Sequence, residues 1–171
     1  MKRIFTMLMS ALIGCSSGGY YKTYPKMELE KFMGKWYVIA SRPTSFEEGA
    51  FNAVESYNYD QQEKKIEIDF RYNKDSLQGE EKRVPQVGWI YNEQTNTHWK
   101  ISPLWPFKFD YLILDLDKDY QWTVIGVPNQ KYIWVMARSP VMSDESLKRI
   151  LSATENAGYN IQNVKRISHK N

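Results

Sequence analysis

Few residues in this chain are of a type that could catalyse a reaction or bind a metal. Cys15 is the only cysteine, and His98 and His169 are the only histidines. Neither histidine has a neighbouring carboxylate in the sequence that would suggest an acid–base pair or a set of metal ligands. His98 falls on the polar face of its predicted strand, where we expect it to meet solvent. The sequence therefore predicts no catalytic residue, no metal site and no cofactor.

Cys15 is the residue with the most specific predicted chemistry. Two cations, Lys2 and Arg3, precede an apolar run from Ile4 to Ile13 that is too short to remain in a bilayer as a spanning helix. The run ends in Leu12-Ile13-Gly14-Cys15, which resembles the lipobox of bacterial lipoproteins. In that motif the chain is cut before the cysteine and a lipid is attached to it, so we expect Cys15 to be a lipid anchor.

This reading divides the chain into three parts. Residues 1–14 are a predicted lipoprotein signal peptide, residues 15–26 a lipidated tether, and residues 27–168 the folded domain. Ser16 stands where enterobacterial lipoproteins retained in the inner membrane carry an aspartate, which favours the outer membrane and its periplasmic face. Loss of the signal peptide removes two cations from a chain with a formal net charge of +3, so no general electrostatic attraction to nucleic acid is expected.

Three residues are spaced as if to close one end of a β-barrel. Gly34 permits a sharp turn, and Trp36 brings a large flat ring to the start of an extended run. Much later in the chain, alternation along Tyr132 to Arg138 places an arginine at the end of a strand. A guanidinium stacked on the indole would plug the floor of the barrel.

Alternating residues elsewhere predict strands with one apolar face. The clearest is Ile66 to Tyr72, in which apolar and charged residues alternate strictly. In the preceding segment Ala53, Glu55 and Tyr57 share a face, and a buried Glu55 is costly unless it is paired or wet. Either that face lines a cavity that holds water, or the register differs by one residue.

An amphipathic helix is predicted near the C-terminus. Several strands are apolar on both faces, so their outer side needs a cover. The segment Ser143 to Ala157 provides it, with Ser143 as N-cap and Gly158 as a left-handed C-terminal cap. Its apolar stripe consists of Leu147, Ile150, Leu151, Thr154 and Ala157. We expect this helix on the outside of strands one, six, seven and eight, followed by a short edge strand within residues 159–168.

Together these features resemble the lipocalin family, which shares a G-x-W near its first strand and an arginine at the end of its last barrel strand. Gly34-x-Trp36 and Arg138 match those motifs, and Phe46-Glu47-x-Gly49 is similar to the long first loop of bacterial lipocalins. The resemblance implies an all-β fold: an eight-stranded antiparallel up-and-down β-barrel with one C-terminal α-helix packed outside. With the lipobox, the chain is similar to the outer-membrane lipocalins of bacteria.

The resemblance also implies a function. Lipocalins of this group bind and store or transport a small hydrophobic ligand, here expected to be a fatty acid or a lysophospholipid. Strand alternation and the resemblance assign six ligand-binding positions: Tyr57, Ile68, Phe70, Tyr111, Trp134 and Met136. Gly34, Trp36 and Arg138 would close the barrel, the N-terminal lipid would hold it at the membrane, and a homodimer is compatible with the sequence.

Two other functions stay open at this point. Aromatic residues make up 15% of the chain, and if they filled the barrel the outer surface would act as an envelope interaction module. An enzyme on the same barrel is the weaker alternative, because the only thiol would be acylated and unavailable as a nucleophile.

Overall fold

The computed structural model describes residues 19–170, so the predicted signal peptide and Cys15 lie outside the described residues. Nine strands form one antiparallel sheet: β1 (Gly34–Arg42), β2 (Ala50–Asp60), β3 (Lys65–Lys74), β4 (Glu81–Ile90), β5 (His98–Leu104), β6 (Phe107–Leu116), β7 (Trp122–Gly126), β8 (Ile133–Ala137) and β9 (Lys165–Arg166). Two α-helices, α1 (Leu29–Phe32) and α2 (Asp144–Asn156), and a 3₁₀ turn at Ser45–Glu47 complete the regular structure. No helix within residues 19–170 is long and apolar enough to cross a membrane.

The first eight strands close into a barrel. Each strand pairs with the next, and β1 pairs with both β8 and β2. The β1–β2 register places Trp36 opposite Glu55, so both side chains point inward. β9 adds a short antiparallel edge beside β1, with Ala40 opposite Arg166. The predicted eight-stranded up-and-down barrel is confirmed.

One strand departs from simple alternation. Strict alternation along β6 would put Leu116 on the same face as Leu112 and Leu114. A register shift between Ile113 and Asp115 inserts an extra residue in β6, and Leu116 consequently joins the interior cluster while Leu114 packs outside. A β-bulge exchanges the faces of every later residue in its strand.

The outer apolar rows are covered by α2, as predicted. The Ser146 backbone N–H donates to Ser143 Oγ at 3.1 Å, which caps the helix start. Leu147 and Ile150 are buried against an outer cluster that includes Ala40 of β1, Leu114 of β6, and residues of β7 and β8. Each such buried aliphatic side chain contributes about 1.5–3 kcal/mol. The helix is followed by Gly158 at φ +95°, a left-handed cap.

The barrel floor is built around Trp36. Gly34 has φ +91°, a backbone conformation that favours glycine. The Trp36 indole donates from Nε1 to the Phe32 carbonyl at 2.7 Å, and the guanidinium carbon of Arg138 lies 3.8 Å from the Trp36 ring centroid. Arg138 also donates to the carbonyls of Lys31 and Lys35 at 2.7 and 2.8 Å. The guanidinium therefore joins α1, β1 and the end of β8.

Candidate functional site

A cavity of about 30 Å³ lies inside the barrel. It is lined by Glu47, Glu55, Ile68, Gln86, Ile101, Tyr111 and Trp134. One water molecule occupies about 30 Å³ in the liquid, and pockets for drug-sized ligands measure roughly 300–1,000 Å³. In this conformation the interior is therefore almost filled by side chains.

A larger depression, of about 350 Å³, lies on the outer wall along β2 and β3. Its lining is mostly polar and includes Lys35, Asp69, Arg71 and Glu81. Arg71 and Arg83 donate to Asp69 at 2.9 and 2.5 Å, and these bonds outweigh the effect of burial and lower the pKa of that carboxyl. Three of the four charged residues in its lining, Asp69, Arg71 and Glu81, are thus joined by ion pairs. We place the candidate site in the interior cavity instead.

A hydrogen-bonded cluster of three side chains occupies one side of the interior. The Tyr57 hydroxyl donates to the Glu55 carboxyl, and the hydroxyl oxygens of Tyr57 and Tyr111 are 2.6 Å apart. The Tyr111 hydroxyl is also 3.4 Å from Glu55 Oε2, and its ring stacks on Trp99 with centroids 5.5 Å apart. Because Glu55 lies opposite Trp36, the cluster is next to the barrel floor.

Burial changes the ionisation of this cluster. Glu55 is 6% exposed, and its removal from water raises its pKa to about 7, in spite of the Tyr57 hydrogen bond, which lowers it. Repulsion from the nearby Glu47 carboxyl also raises the pKa of Glu55. Burial likewise raises the pKa values of Tyr57 and Tyr111 well above 10, so both phenols are neutral and able to donate.

Glu47 enters the cavity from the loop between β1 and β2. The 3₁₀ turn directs this carboxyl inward, where Oε2 accepts from Trp134 Nε1 and from the Thr44 backbone N–H, both at 3.1 Å. Burial raises the pKa of Glu47, although these bonds partly oppose the effect. The adjacent Phe46 is 82% exposed. Glu47 therefore forms part of the roof of the cavity.

All six predicted ligand-binding residues are buried in the interior cluster. Ile68, Tyr111 and Trp134 line the cavity, whereas Tyr57, Phe70 and Met136 pack around it. Glu55 also faces inward, so the expected register holds and the carboxyl has a partner.

Three lining residues were not identified from the sequence: Glu47, Gln86 and Ile101. Ile101 could have been found, since alternation along β5 puts it on the same face as Trp99. Gln86 lies between Pro85 and Gly88, two residue types that often interrupt the regular pattern of a strand. Nothing in the local sequence indicates that a loop residue such as Glu47 turns inward.

The expectation for His98 was wrong. Its side chain is only 13% exposed, and Nε2 lies 2.5 Å from Asp110 Oδ1 on the neighbouring strand β6. Lys100 reaches the same carboxylate at 2.6 Å. The pairing escaped sequence analysis because Asp110 lies twelve residues away and is brought close only by the β5–β6 register. Neither His98 nor Asp110 lines the interior cavity.

The buried carboxyl predicts a pH-dependent stability. Between about pH 4.5 and about pH 7 the folded chain keeps the Glu55 proton that the unfolded chain has released. Stability therefore falls as the pH rises through this window, by up to about 1 kcal/mol per pH unit. Glu55→Gln should reduce this slope, which urea unfolding at several pH values would measure. An unchanged slope would contradict the raised pKa.

The chain is similar to known proteins both in sequence and in fold. The sequence profile of the lipocalin-like domain family matches residues 27–169. The outer membrane lipoprotein Blc of Vibrio cholerae is 26% identical over 162 residues, which cover 93% of this chain and 94% of that protein. Blc of Escherichia coli K12 is 25% identical, over 78% of this chain and 75% of that protein. Lobster apocrustacyanin A1 has a similar fold, with a TM-score of 0.65, 15% identity, and coverage of 84% of this chain and 81% of that one.

Proposed function

The chain belongs to the lipocalin-like domain family, and on this premise we propose that its barrel binds a single-chain lipid, a fatty acid or a lysophospholipid. The protein would store or transport this ligand from an anchor in the outer membrane. The observation that carries the proposal is an interior cavity whose wall combines apolar side chains with a buried hydrogen-bonded carboxyl. The same premise favours a binding protein over an enzyme.

The chemistry of the cavity wall supports this ligand class. Ile68, Ile101 and Trp134 supply apolar surface, which suits a methylene chain. Glu55 and Tyr111 supply polar groups at one side of the same cavity, which suits a headgroup or the end of one. Ligand pockets commonly combine a mostly apolar wall with a few polar groups that fix orientation.

Binding an acyl chain requires the loop between β1 and β2 to move, because the present cavity is too small. The loop is held by hydrogen bonds from Trp134 to Glu47, from the Tyr72 hydroxyl to the Phe46 carbonyl at 3.0 Å, and from Lys74 to the Glu48 carbonyl at 2.5 Å. Each is worth about 0.5–1.5 kcal/mol net. Lifting the loop thus costs a few kcal/mol, less than a buried acyl chain can return.

A second candidate function is supported by the same small cavity. If the barrel stays filled, the protein would act through its outer surface as an envelope interaction module. The exposed apolar residues Leu104, Trp105 and Phe107 at the β5–β6 turn favour such a role, because large apolar side chains in solvent often mark contact surfaces.

The start of the described chain supports an anchor near the mouth of the barrel. The Tyr20 backbone N–H donates to the Pro128 carbonyl at 2.7 Å, in the loop between β7 and β8. This loop lies at the same end as the loop that carries Glu47, since β8 runs antiparallel to β1. Cys15 is four residues before Gly19, a span of at most about 14 Å. A lipid on Cys15 would therefore bring the mouth towards the membrane, on its periplasmic side.

The proposal can be tested on an unanchored variant. Cys15→Ser is expected to move the protein from the outer membrane to the soluble envelope fraction, because the acylated thiol is its only proposed attachment. Purified without detergent and extracted with organic solvent, the soluble protein should yield a fatty acid or lysophospholipid by mass spectrometry. Cys15→Ser should leave the urea midpoint unchanged, because Cys15 precedes the predicted folded domain.

Two results would contradict parts of this account. Retention of the variant in the outer membrane would show that the anchor is elsewhere. A soluble variant that carries no lipid, and takes none up from added vesicles, would favour the interaction module. Ser17→Ala is a matched control for a substitution in the same segment and should remain in the membrane.

A further inference from the structure

The cavity lining contains three ionisable side chains: two carboxyl groups and one phenol. The carboxyls belong to Glu55 of β2 and to Glu47 of the loop between β1 and β2, and the phenol belongs to Tyr111. Among the lining residues there is no lysine, arginine or histidine. From this arrangement we infer that the cavity selects its lipid by headgroup: it accepts a buried end that is an amine or another hydrogen-bond donor, and it rejects a buried carboxylate. This inference rests on the proposed function and narrows the ligand class.

The ionisable groups that face Glu55 come from β2, β6 and the loop between β1 and β2. Tyr57 on its own strand and Tyr111 on β6 donate to it or to each other, and Glu47 approaches from the loop above. At the barrel floor, the Arg138 guanidinium stacks on the Trp36 ring and donates to backbone carbonyls. A ligand in the cavity would therefore meet two carboxyls together with the Tyr111 hydroxyl and the Gln86 amide, which can donate or accept, and it would meet no cation among the lining residues.

A carboxylate placed in such a cavity would be repelled. Two like charges a few ångströms apart inside a protein interact far more strongly than in water, because the surroundings are less polarisable and screening is weak. An ammonium group would instead be attracted to Glu55 and could donate to its oxygens. A hydroxyl would be intermediate, since it can donate to Glu55 without a net charge.

Burying these two carboxyls lowers the stability of the fold, which argues against a purely structural role for them. An interior built only for stability would gain from apolar side chains of similar volume at these positions, since buried carboxyls lose hydration. Here Glu47 is supplied by a loop and Glu55 by a strand, and both border the same cavity. Two acceptors converging on one small space are what a donor headgroup requires.

The experiment compares three ligands with the same twelve-carbon chain: dodecylamine, dodecanol and dodecanoate. Each displaces the neutral fluorescent probe N-phenyl-1-naphthylamine from delipidated protein at pH 8, at ligand concentrations below those that form micelles. We expect the amine to bind at least about tenfold more tightly than the carboxylate, with the alcohol between them. The preference should narrow on lowering the pH to 6, where protonation of Glu55 removes its charge.

Isosteric variants test whether the cavity carboxyls cause the preference for the amine over the carboxylate. Glu55→Gln should reduce the amine-to-carboxylate ratio to within about threefold of one, mainly by strengthening dodecanoate binding, and Glu47→Gln should reduce it in part. Glu67→Gln is the control, because Glu67 is a β3 carboxyl on the outer face of the barrel. Since Glu47 lies in a loop, its variant tests the inference even if Glu55→Gln were to fold poorly.

The outcomes separate the inference from the proposed function. Equal affinities for the three ligands, or a preference that survives both glutamine substitutions, would overturn the inference while lipid binding stands. Failure of all three ligands to displace the probe would remove lipid binding itself, and the inference with it.

Discussion

Trp36→Ala is expected to lower the free energy of unfolding by about 3–5 kcal/mol. The indole is fully buried and packs on the Phe32 ring with centroids 5.0 Å apart. Its removal would leave a cavity at the barrel floor and take from the Phe32 carbonyl one of its two donors, the other being Arg138. The Arg138 guanidinium would lose the ring on which it stacks.

Arg138→Ala is expected to cost about 2–4 kcal/mol, because four backbone hydrogen bonds from the guanidinium, two of them part-buried, and its stacking on Trp36 would be lost. Since the two side chains are in contact, the double variant should be less destabilised than the sum of the single variants, by at least about 1 kcal/mol. Urea unfolding of the single and double variants measures this coupling. Simple additivity would show that the stacked pair contributes nothing as a pair.

Arg149→Ala provides a matched control for this experiment. Arg149 is exposed on α2, on the outside of the barrel. Its substitution should change the unfolding free energy by no more than about 0.5 kcal/mol. A comparable loss in the control would indicate a general effect of removing positive charge.

Regular periodicity made the barrel and its covering helix predictable. The strict alternation from Ile66 to Tyr72 leaves one arrangement that buries the apolar row, and β3 adopts it. The two-sided strands indicated an outer cover, and the amphipathic stripe of α2 takes that place. For Glu55 the alternation left two registers open, and β2 adopts the one that turns this carboxyl inward.

Features that depend on contacts between distant residues were not predictable. The β6 bulge moves Leu116 inside because the strand must fit its curvature to β7, and no residue type in the sequence marks it. His98 and Asp110 meet only through the β5–β6 register. The inward turn of Glu47 depends on Trp134, which lies 87 positions later.

The volume of the cavity could not be predicted from the sequence either. It is the small difference between the space enclosed by eight strands and the volume of the side chains that fill it. Trp99, Tyr111 and Trp134 are each consistent with either a wall or a plug until their rotamers are known. The stacking of Tyr111 on Trp99 accounts for part of the filled interior.

Among the properties of the ligand, the length of the acyl chain should have the largest effect on the Kd. If the acyl chain is buried in the barrel, each added methylene contributes at most about 0.8 kcal/mol, or roughly a fourfold lower Kd. The costs of loop movement and of ordering the chain reduce the total, but they do not depend strongly on one methylene more or less. The gain should end when the chain exceeds the length of the opened barrel.

The central claim is tested most directly by titrating delipidated Cys15→Ser protein with saturated lysophospholipids whose acyl chains have about 8 to 16 carbons, by isothermal calorimetry below micelle-forming concentrations. The account predicts saturable binding of about one ligand per chain, with a Kd that falls by severalfold for each pair of added methylenes until a plateau is reached. Affinity independent of chain length, or no saturable binding at any length, would contradict lipid carriage in the barrel.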